Sequence, residues 1–422
     1  MLRSTLLCCL ATLALASPSG ATVVIERLAD PAALWPGHPT CPIGDTDSPA
    51  VDGGPIVYHP TTTACAGHQL LLDDGGTLST VLPPILPGNI VSTSLVSGAF
   101  GGPSIEGSDI AIRAADVNGD GVWVRSGGTW FLVAKKGTTT IPDSGGAVFG
   151  GFVTAVGAPR LDSGRVVFPG GDGAGLGGFY LWDAGTLSKL VDTTDTYPGG
   201  AGSFADLQGY ALDGSRFYFT ASDGGSNFGF FSLESSTLTL IADQTTPIPG
   251  GTGTFSRFWL VNAADDEAVV VGQDGASNSG LYHWDGATLQ AIVNPGDASP
   301  GSGTFGSVNV IGLGQAFPSI DAGRVAFIAP DGDGPGVFLW NGSTIERLAS
   351  TATPIAGETA TLLQMKPDSL SGNTLVFYGA TAGGSRTWRA TFPPNVPALS
   401  PALAWLATLA LAGGAWRSLH AR

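Results

Sequence analysis

Asp321-Ala-Gly-Arg-Val-Ala-Phe-Ile328, Gly336-Val-Phe-Leu-Trp-Asn-Gly342 and Ser343-Thr-Ile-Glu-Arg-Leu-Ala349 are three short apolar runs separated by turns of Asp, Asn and Gly. The unit recurs. Asp162-Ser-Gly-Arg-Val-Val-Phe168, Gly178-Phe-Tyr-Leu-Trp-Asp183 and Thr186-Leu-Ser-Lys-Leu-Val191 repeat it. So do Ser215-Arg-Phe-Tyr-Phe219, Gly229-Phe-Phe-Ser-Leu233 and Thr237-Leu-Thr-Leu-Ile241. Weaker copies begin near Ile56, Asp109, Ala268 and Thr374, which makes seven, about 50 to 56 residues apart. Self-similarity at such a period marks stacked repeats.

Each repeat also has an opening strand behind a Gly-rich connection. Pro198-Gly-Gly-Ala-Gly-Ser-Phe204, Pro249-Gly-Gly-Thr-Gly-Thr-Phe255 and Pro300-Gly-Ser-Gly-Thr-Phe305 share one motif, and Pro142 to Phe149 is a stretched version. Four short antiparallel strands in a unit of this length describe a propeller blade. The turn from opening to second strand carries Asp-Gly or Asp-x-Gly, which suits tight hairpins with positive φ. Val337-Phe-Leu-Trp340 is apolar without alternation, as a strand buried on both faces must be. Trp182, Trp284 and Trp340 share one strand position, so they are read as blade-packing residues. The last repeat, Thr374–Tyr378 and Arg386–Phe392, stops at Pro393-Pro394 without an outer strand. Ile25–Ala29 spells the same five residues as the outer strand Ile345–Ala349. The fold expected is therefore all-β: a seven-bladed propeller of four-stranded blades over residues 22–392, closed by the N-terminal strand. Closure removes edges that would pair with other molecules.

Composition fixes the kind of partner. Carboxylates outnumber Lys and Arg by 34 to 18, and a net charge of −16 argues against nucleic acid, whose phosphates need a basic surface. Gly (64) and Pro (29) fall at regular places, as turns between short strands require. Residues 1–21 read as a signal peptide: Arg3, an apolar stretch Leu6–Ala16, and Ser19-Gly20-Ala21 as cleavage site, with a cut after Ala16 as the alternative. Cys8 and Cys9 would leave with it. Cys41 and Cys65 remain, an even pair in an oxidising compartment, and a disulfide between them is favoured over free thiols.

At the far end, residues 393–401 form a linker carrying Val396-Pro-Ala-Leu-Ser-Pro401, and 402–422 form an apolar run, Ala402–Trp416, with the basic tail Arg417, His420 and Arg422. This resembles the C-terminal sorting signals of the IPTL type, related to the PEP type, in which a Pro-containing motif, an apolar helix and a basic tail retain the protein for surface sorting. The motif departs from the usual start of that family, and a plain membrane anchor is the alternative. Both imply contact with the membrane through the C-terminal helix before processing.

Asp116-Val-Asn-Gly-Asp-Gly121 has the spacing of a calcium loop and resembles those in the blades of integrin-type propellers. Side-chain oxygens of Asp116, Asn118 and Asp120 could surround a hard cation. The helix-loop-helix form is excluded, since Gly127 stands where its Glu belongs. Looser versions occur at Asp331-Gly-Asp333, Asp223-Gly-Gly and Asp274-Gly, where Asp and Gly also simply make the turn. The stretch of about 31–51 is the least repeat-like, holding Trp35, His38, Cys41, Asp45 and Asp47, and a disulfide-pinned loop explains it better than a metal cluster. No nucleophile elbow, phosphate loop or dinucleotide fingerprint is present, and no catalytic residue is assigned.

The mature chain resembles secreted bacterial proteins built from propeller-like tandem repeats and ending in a sorting signal, which implies an exported protein of the envelope, surface or medium. The function expected is a binding or structural scaffold, with envelope or matrix polysaccharide or a surface protein as partner. The alternative is an extracellular glycosidase or lyase on a propeller. Propellers host both, so fold alone does not decide. Axial Asp, Glu, Arg or His converging from several blades would favour the enzyme.

Overall fold

The quoted repeat forms one antiparallel sheet, Ser319–Asp321, Arg324–Asp331, Gly334–Trp340 and Ile345–Ser350, with the strands adjacent in chain order. The computed structural model describes residues 23–393 apart from 29–33, 37, 43–45, 61–69, 82–101, 117–118, 153–157, 200–201, 226 and 309–315. It repeats the sheet over 46–80, 104–135, 160–192, 206–243 and 255–293. These are blades 1 to 5 and the quoted unit is blade 6. Blade 7 is built from Ala360–Gln364, Leu370–Ser371, Thr374–Thr381 and Gly384–Thr391, and its outermost strand is Val24–Arg27. Ile25 lies opposite Ala390 and Glu26 opposite Arg389. The seven-bladed ring and its closure by the N-terminal strand are as the repeat demands.

The non-alternating runs follow from stacking. In blade 4, Phe217 and Phe219 turn towards blade 3 and meet Phe179, with ring centroids 5.3 and 6.1 Å apart. Tyr218 between them turns the other way, and its hydroxyl donates to the Asp266 carbonyl of blade 5 at 3.1 Å. Each fully buried ring stabilises the fold by roughly 2–3 kcal/mol. Trp340 is buried in such an inter-blade core, while Trp182 and Trp284 pack half-buried against others.

The Gly-rich connections are wedges. Thr196 bridges Ser203, Pro247 bridges Thr254 and Ala298 bridges Thr304, closing each loop on itself. The Phe that ends the motif is buried and meets a third-strand aromatic of the blade into which the connection leads: Phe204 with Phe231 at 5.6 Å, Phe255 with Tyr282 at 4.8 Å, Phe305 with Phe338 at 4.9 Å. All are edge-to-face, the geometry favoured by the ring quadrupole. A Cβ at Gly272 would stand 2.6 Å from the Phe255 ring, so only glycine fits beneath the wedge. Phe255 begins an opening strand, whereas the opening strands of blades 4 and 6 start after their Phe, at Asp206 and Ser319.

The stretch read as irregular, about 31–51, holds a short ribbon of Leu34–Trp35 with His38–Pro42 and ends in Thr46–Val51, the inner strand of blade 1. Ala50 and Val51 are buried there. Among the described residues the only helical turn is the 3-10 turn Pro367–Ser369, and no helix is long and apolar enough to cross a membrane. The leader over 1–21 and the sorting segment from 394 onward lie outside the described residues.

Candidate functional site

The first strand of every blade is innermost, and each ends in a hairpin turn near the axis. The turn acceptor of one blade reaches the backbone N–H of the next blade's turn. Asp52 accepts from Gly107 at 2.6 Å, Glu106 from Gly164 at 2.8 Å and Asp162 from Gly214 at 2.8 Å. Asp213 accepts from Asp266 at 2.6 Å, Asp265 from Ala322 at 2.9 Å and Asp321 from Gly372 at 2.7 Å. Ser371 of blade 7 closes the circle by accepting from Gly53 of blade 1 at 2.9 Å and donating to Asp52 at 3.2 Å. The residues read as turn formers therefore also join neighbouring blades. Burial holds the Asp162, Asp213 and Asp321 carboxyls above the usual carboxylate range, against the lowering effect of the N–H each accepts.

Two positions before each ring acceptor stands a buried or half-buried residue: Ala50, Ser104, Arg160, Ala211, Ala263, Ser319 and Ser369. Ser104 Oγ accepts from the Leu161 N–H at 2.9 Å, and Ser319 Oγ accepts from those of Ser369 and Leu370 at 3.2 and 2.9 Å. Small side chains let the strands converge. Arg160 is the exception. It is 6% exposed, and its guanidinium carbon lies 5.7 Å from the Tyr210 ring of blade 4 and 5.8 Å from the Phe317 ring beside blade 6.

Blade 7 departs from the pattern at the same place. Its inner edge is split into Ala360–Gln364 and Leu370–Ser371 by the 3-10 turn Pro367–Ser369. The Asn262 amide holds this turn by donating to the Pro367 carbonyl at 2.7 Å, and Ser369 Oγ accepts from the Lys366 N–H at 2.9 Å. The turn sets Asp368 into an axial cavity of about 120 Å³ lined by residues of all seven blades, among them Asp52, Arg160, Asp162, Asn262 and Asp321. Burial raises the Asp368 carboxyl above the usual carboxylate range, and the Arg160 charge and a hydrogen bond from Ser104 oppose that. Asp368 Oδ2 and Arg160 Nε are shut from solvent without a hydrogen-bond partner, and no ion pair joins the two side chains among the described residues.

The calcium-loop residues stand elsewhere, in blade 2. Asp116 ends the strand Asp109–Asp116, Asn118 lies outside the described residues, and Asp120 receives Arg113 Nε at 3.0 and 3.1 Å. The looser Asp-Gly loops close on themselves. Asp223 Oδ1 accepts from Gly225 N–H at 2.9 Å, Asp274 Oδ1 from Ala276 and Asn278 N–H at 2.8 Å each, and Asp331 Oδ1 from Asp333 N–H at 2.9 Å. Among the described residues no three His, Cys, Asp or Glu stand together as a metal cluster. Cys41 lies in the strand His38–Pro42, and Cys65 lies outside the described residues.

The chain is similar in fold to several solved propellers. The β-propeller domain of the Trilobed protease from Pyrococcus furiosus is 10% identical over 84% of this chain and 99% of its own, with a TM-score of 0.48. TolB from Acinetobacter baumannii is 15% identical over 70% of this chain and 64% of its own, with a TM-score of 0.41. An acylaminoacyl peptidase from Pyrococcus horikoshii is 11% identical over 80% of this chain and 49% of its own, with a TM-score of 0.47, so the chain spans about half the length of that peptidase. Likeness at this level concerns the fold alone. No curated protein matches the sequence. A family model, described as Family of unknown function (DUF7453), matches residues 89–387, and with most of its length covered the chain belongs to that family.

Proposed function

We propose that this chain is an exported propeller that works as a binding or structural scaffold at the cell envelope or surface, with polysaccharide or a surface protein as its partner. The observation that carries this reading is the use made of the axial carboxylates. Asp52, Asp162 and Asp321 each hold the turn of the next blade, so the convergence that would favour an enzyme is largely structural. The cavity of about 120 Å³ is also small beside the roughly 300–1,000 Å³ of ordinary ligand pockets. A glycan chain is better suited to the broad outer faces, where loops on a rigid ring are free to diverge.

The exported address rests on the leader-like residues 1–21 and the sorting-like segment 396–422. In that compartment a Cys41–Cys65 disulfide is the expected state of the two mature cysteines. Calcium at Asp116, Asn118 and Asp120 belongs to the same proposal, and a cation there has to exchange with the Arg113 guanidinium on Asp120. The glycosidase alternative draws on Asp368, whose raised carboxyl is the kind a general acid needs. The test is binding of the purified protein to a broad glycan array, with calcium and then with chelator, followed by a cleavage assay on every hit. Binding without cleavage supports the scaffold. Cleavage lost in Asp368→Asn would replace it with the enzyme.

A further inference from the structure

Six blades place Ala or Ser two positions before the ring acceptor, and blade 3 places Arg160 there. Packing does not call for it, because the other blades meet with small side chains or with serines that accept a neighbour's N–H. The Tyr210 and Phe317 rings flank the guanidinium, which favours a cation between them. Its Nε–H has no acceptor among the described residues. A buried charge without a partner is strongly unfavourable, and a partner is within reach of the same cavity. Asp368 lines it, and its Oδ2, shut from solvent, also lacks a partner. The fold thus presents a guanidinium and a carboxyl to one small space and leaves them unjoined, with Asp162 and Asp321 beside them.

We propose that this cavity binds a small zwitterionic amino acid, its carboxylate forked on Arg160 and its ammonium turned to Asp368 and the ring carboxylates. A planar guanidinium edge matches the two oxygens of a carboxylate. An acidic surround accepts an ammonium group and rejects a plain anion. A volume of about 120 Å³ holds about four waters at roughly 30 Å³ each, which is the size of glycine or alanine and too little for a large side chain. The site lies on the axis and does not depend on what the outer faces bind.

The test is titration calorimetry and thermal shift of the full chain with glycine and L-alanine, beside acetate, ethylamine and L-leucine. Glycine and alanine should bind and raise the melting temperature, and the other three should not. Arg160→Met should weaken alanine binding about tenfold or more, with Arg160→Lys between the two. If Arg160→Met does not fold, the near-isosteric Asp368→Asn gives the second reading, with alanine weakened and folding kept. Acetate binding as tightly as alanine would overturn the zwitterion. No binding of either amino acid at millimolar concentration, or unchanged binding in Arg160→Met, would overturn the site.

Discussion

At one rim of the propeller Asp52, Asp162, Asp213 and Asp321 reach out of their own hairpin to hold the backbone of the next blade, whereas at the other rim Asp172, Asp223 and Asp274 fold back on the N–H groups of their own loop. Both sets are written as Asp-Gly or Asp-x-Gly. The first set is drawn in among the converging inner strands, and burial raises the Asp162, Asp213 and Asp321 carboxyls. The second set is half-buried at the loop ends, and local hydrogen bonds outweigh desolvation and lower Asp172, Asp223 and Asp274 below the usual range. The difference is one of reach: desolvation prevails at a carboxylate that ties two blades, and local hydrogen bonds prevail at one that shapes a loop.

The ring closes at two radii, which gives the largest expected effect. Near the axis the seam is Ser371 against Gly53 and Asp52. At the periphery it is Val24–Arg27 along Gly384–Thr391, clamped by Glu26 on Arg389 and by Arg27 on Glu358 at 2.8 Å. Deleting residues 22–29 removes the outer seam and leaves the inner one. It should cost about 5 kcal/mol from ladder hydrogen bonds and the half-buried Ile25 and Leu28, read as a lower denaturant midpoint, and expose an edge that invites self-association. An unchanged midpoint would mean that the inner ring alone closes the propeller.

Single carboxylates come next. Asp321→Ala leaves the Gly372 N–H at the seam between blades 6 and 7 without its acceptor, at a cost of about 1–3 kcal/mol. Asp274→Ala exposes two loop N–H groups to water that can replace the carboxylate, so about 1 kcal/mol or less is expected. Equal losses by denaturant unfolding of the two variants would erase the distinction between the rims.

The architecture was legible because a blade is local. Its strands are sequential, its middle runs are apolar on both faces, and the five residues shared by Ile25–Ala29 and Ile345–Ala349 mark the missing outer strand. The ring contacts were not legible, since Asp162 and Gly214 meet across a blade boundary and their letters already had a sufficient explanation as a turn. The cavity was harder still, because Arg160 and Asp368 come together only by crossing the axis from blades 3 and 7. A signal did exist. Aligning the repeats on the ring acceptor leaves Arg160 as the one charged residue in a column of Ala and Ser. The wedge Phe residues were visible as a motif, but their role needed the third-strand aromatic of the blade into which the connection leads.

The smallest effect separates the rims by pH. For Asp162, Asp213 and Asp321 the folded value lies above the unfolded one, so the native state takes up protons first. Their penalty is full above the folded value and is relieved as pH falls through it. For Asp172, Asp223 and Asp274 the folded value lies below the unfolded one, so their contribution is present above the unfolded value of about 3.9 and is lost as pH falls through the folded one. The net charge of −16 also relaxes on acidification, which favours the folded ring. The melting temperature should therefore hold or rise by about 2 °C from pH 7 to pH 5 and drop only below about pH 4. Asp162→Asn with Asp213→Asn should flatten the rise, and Asp223→Asn with Asp274→Asn should soften the fall. A steady loss of stability from pH 7 downward in the unsubstituted protein would mean that the ring carboxylates are held in their charged form, and that the two rims do not differ in the way their geometry requires.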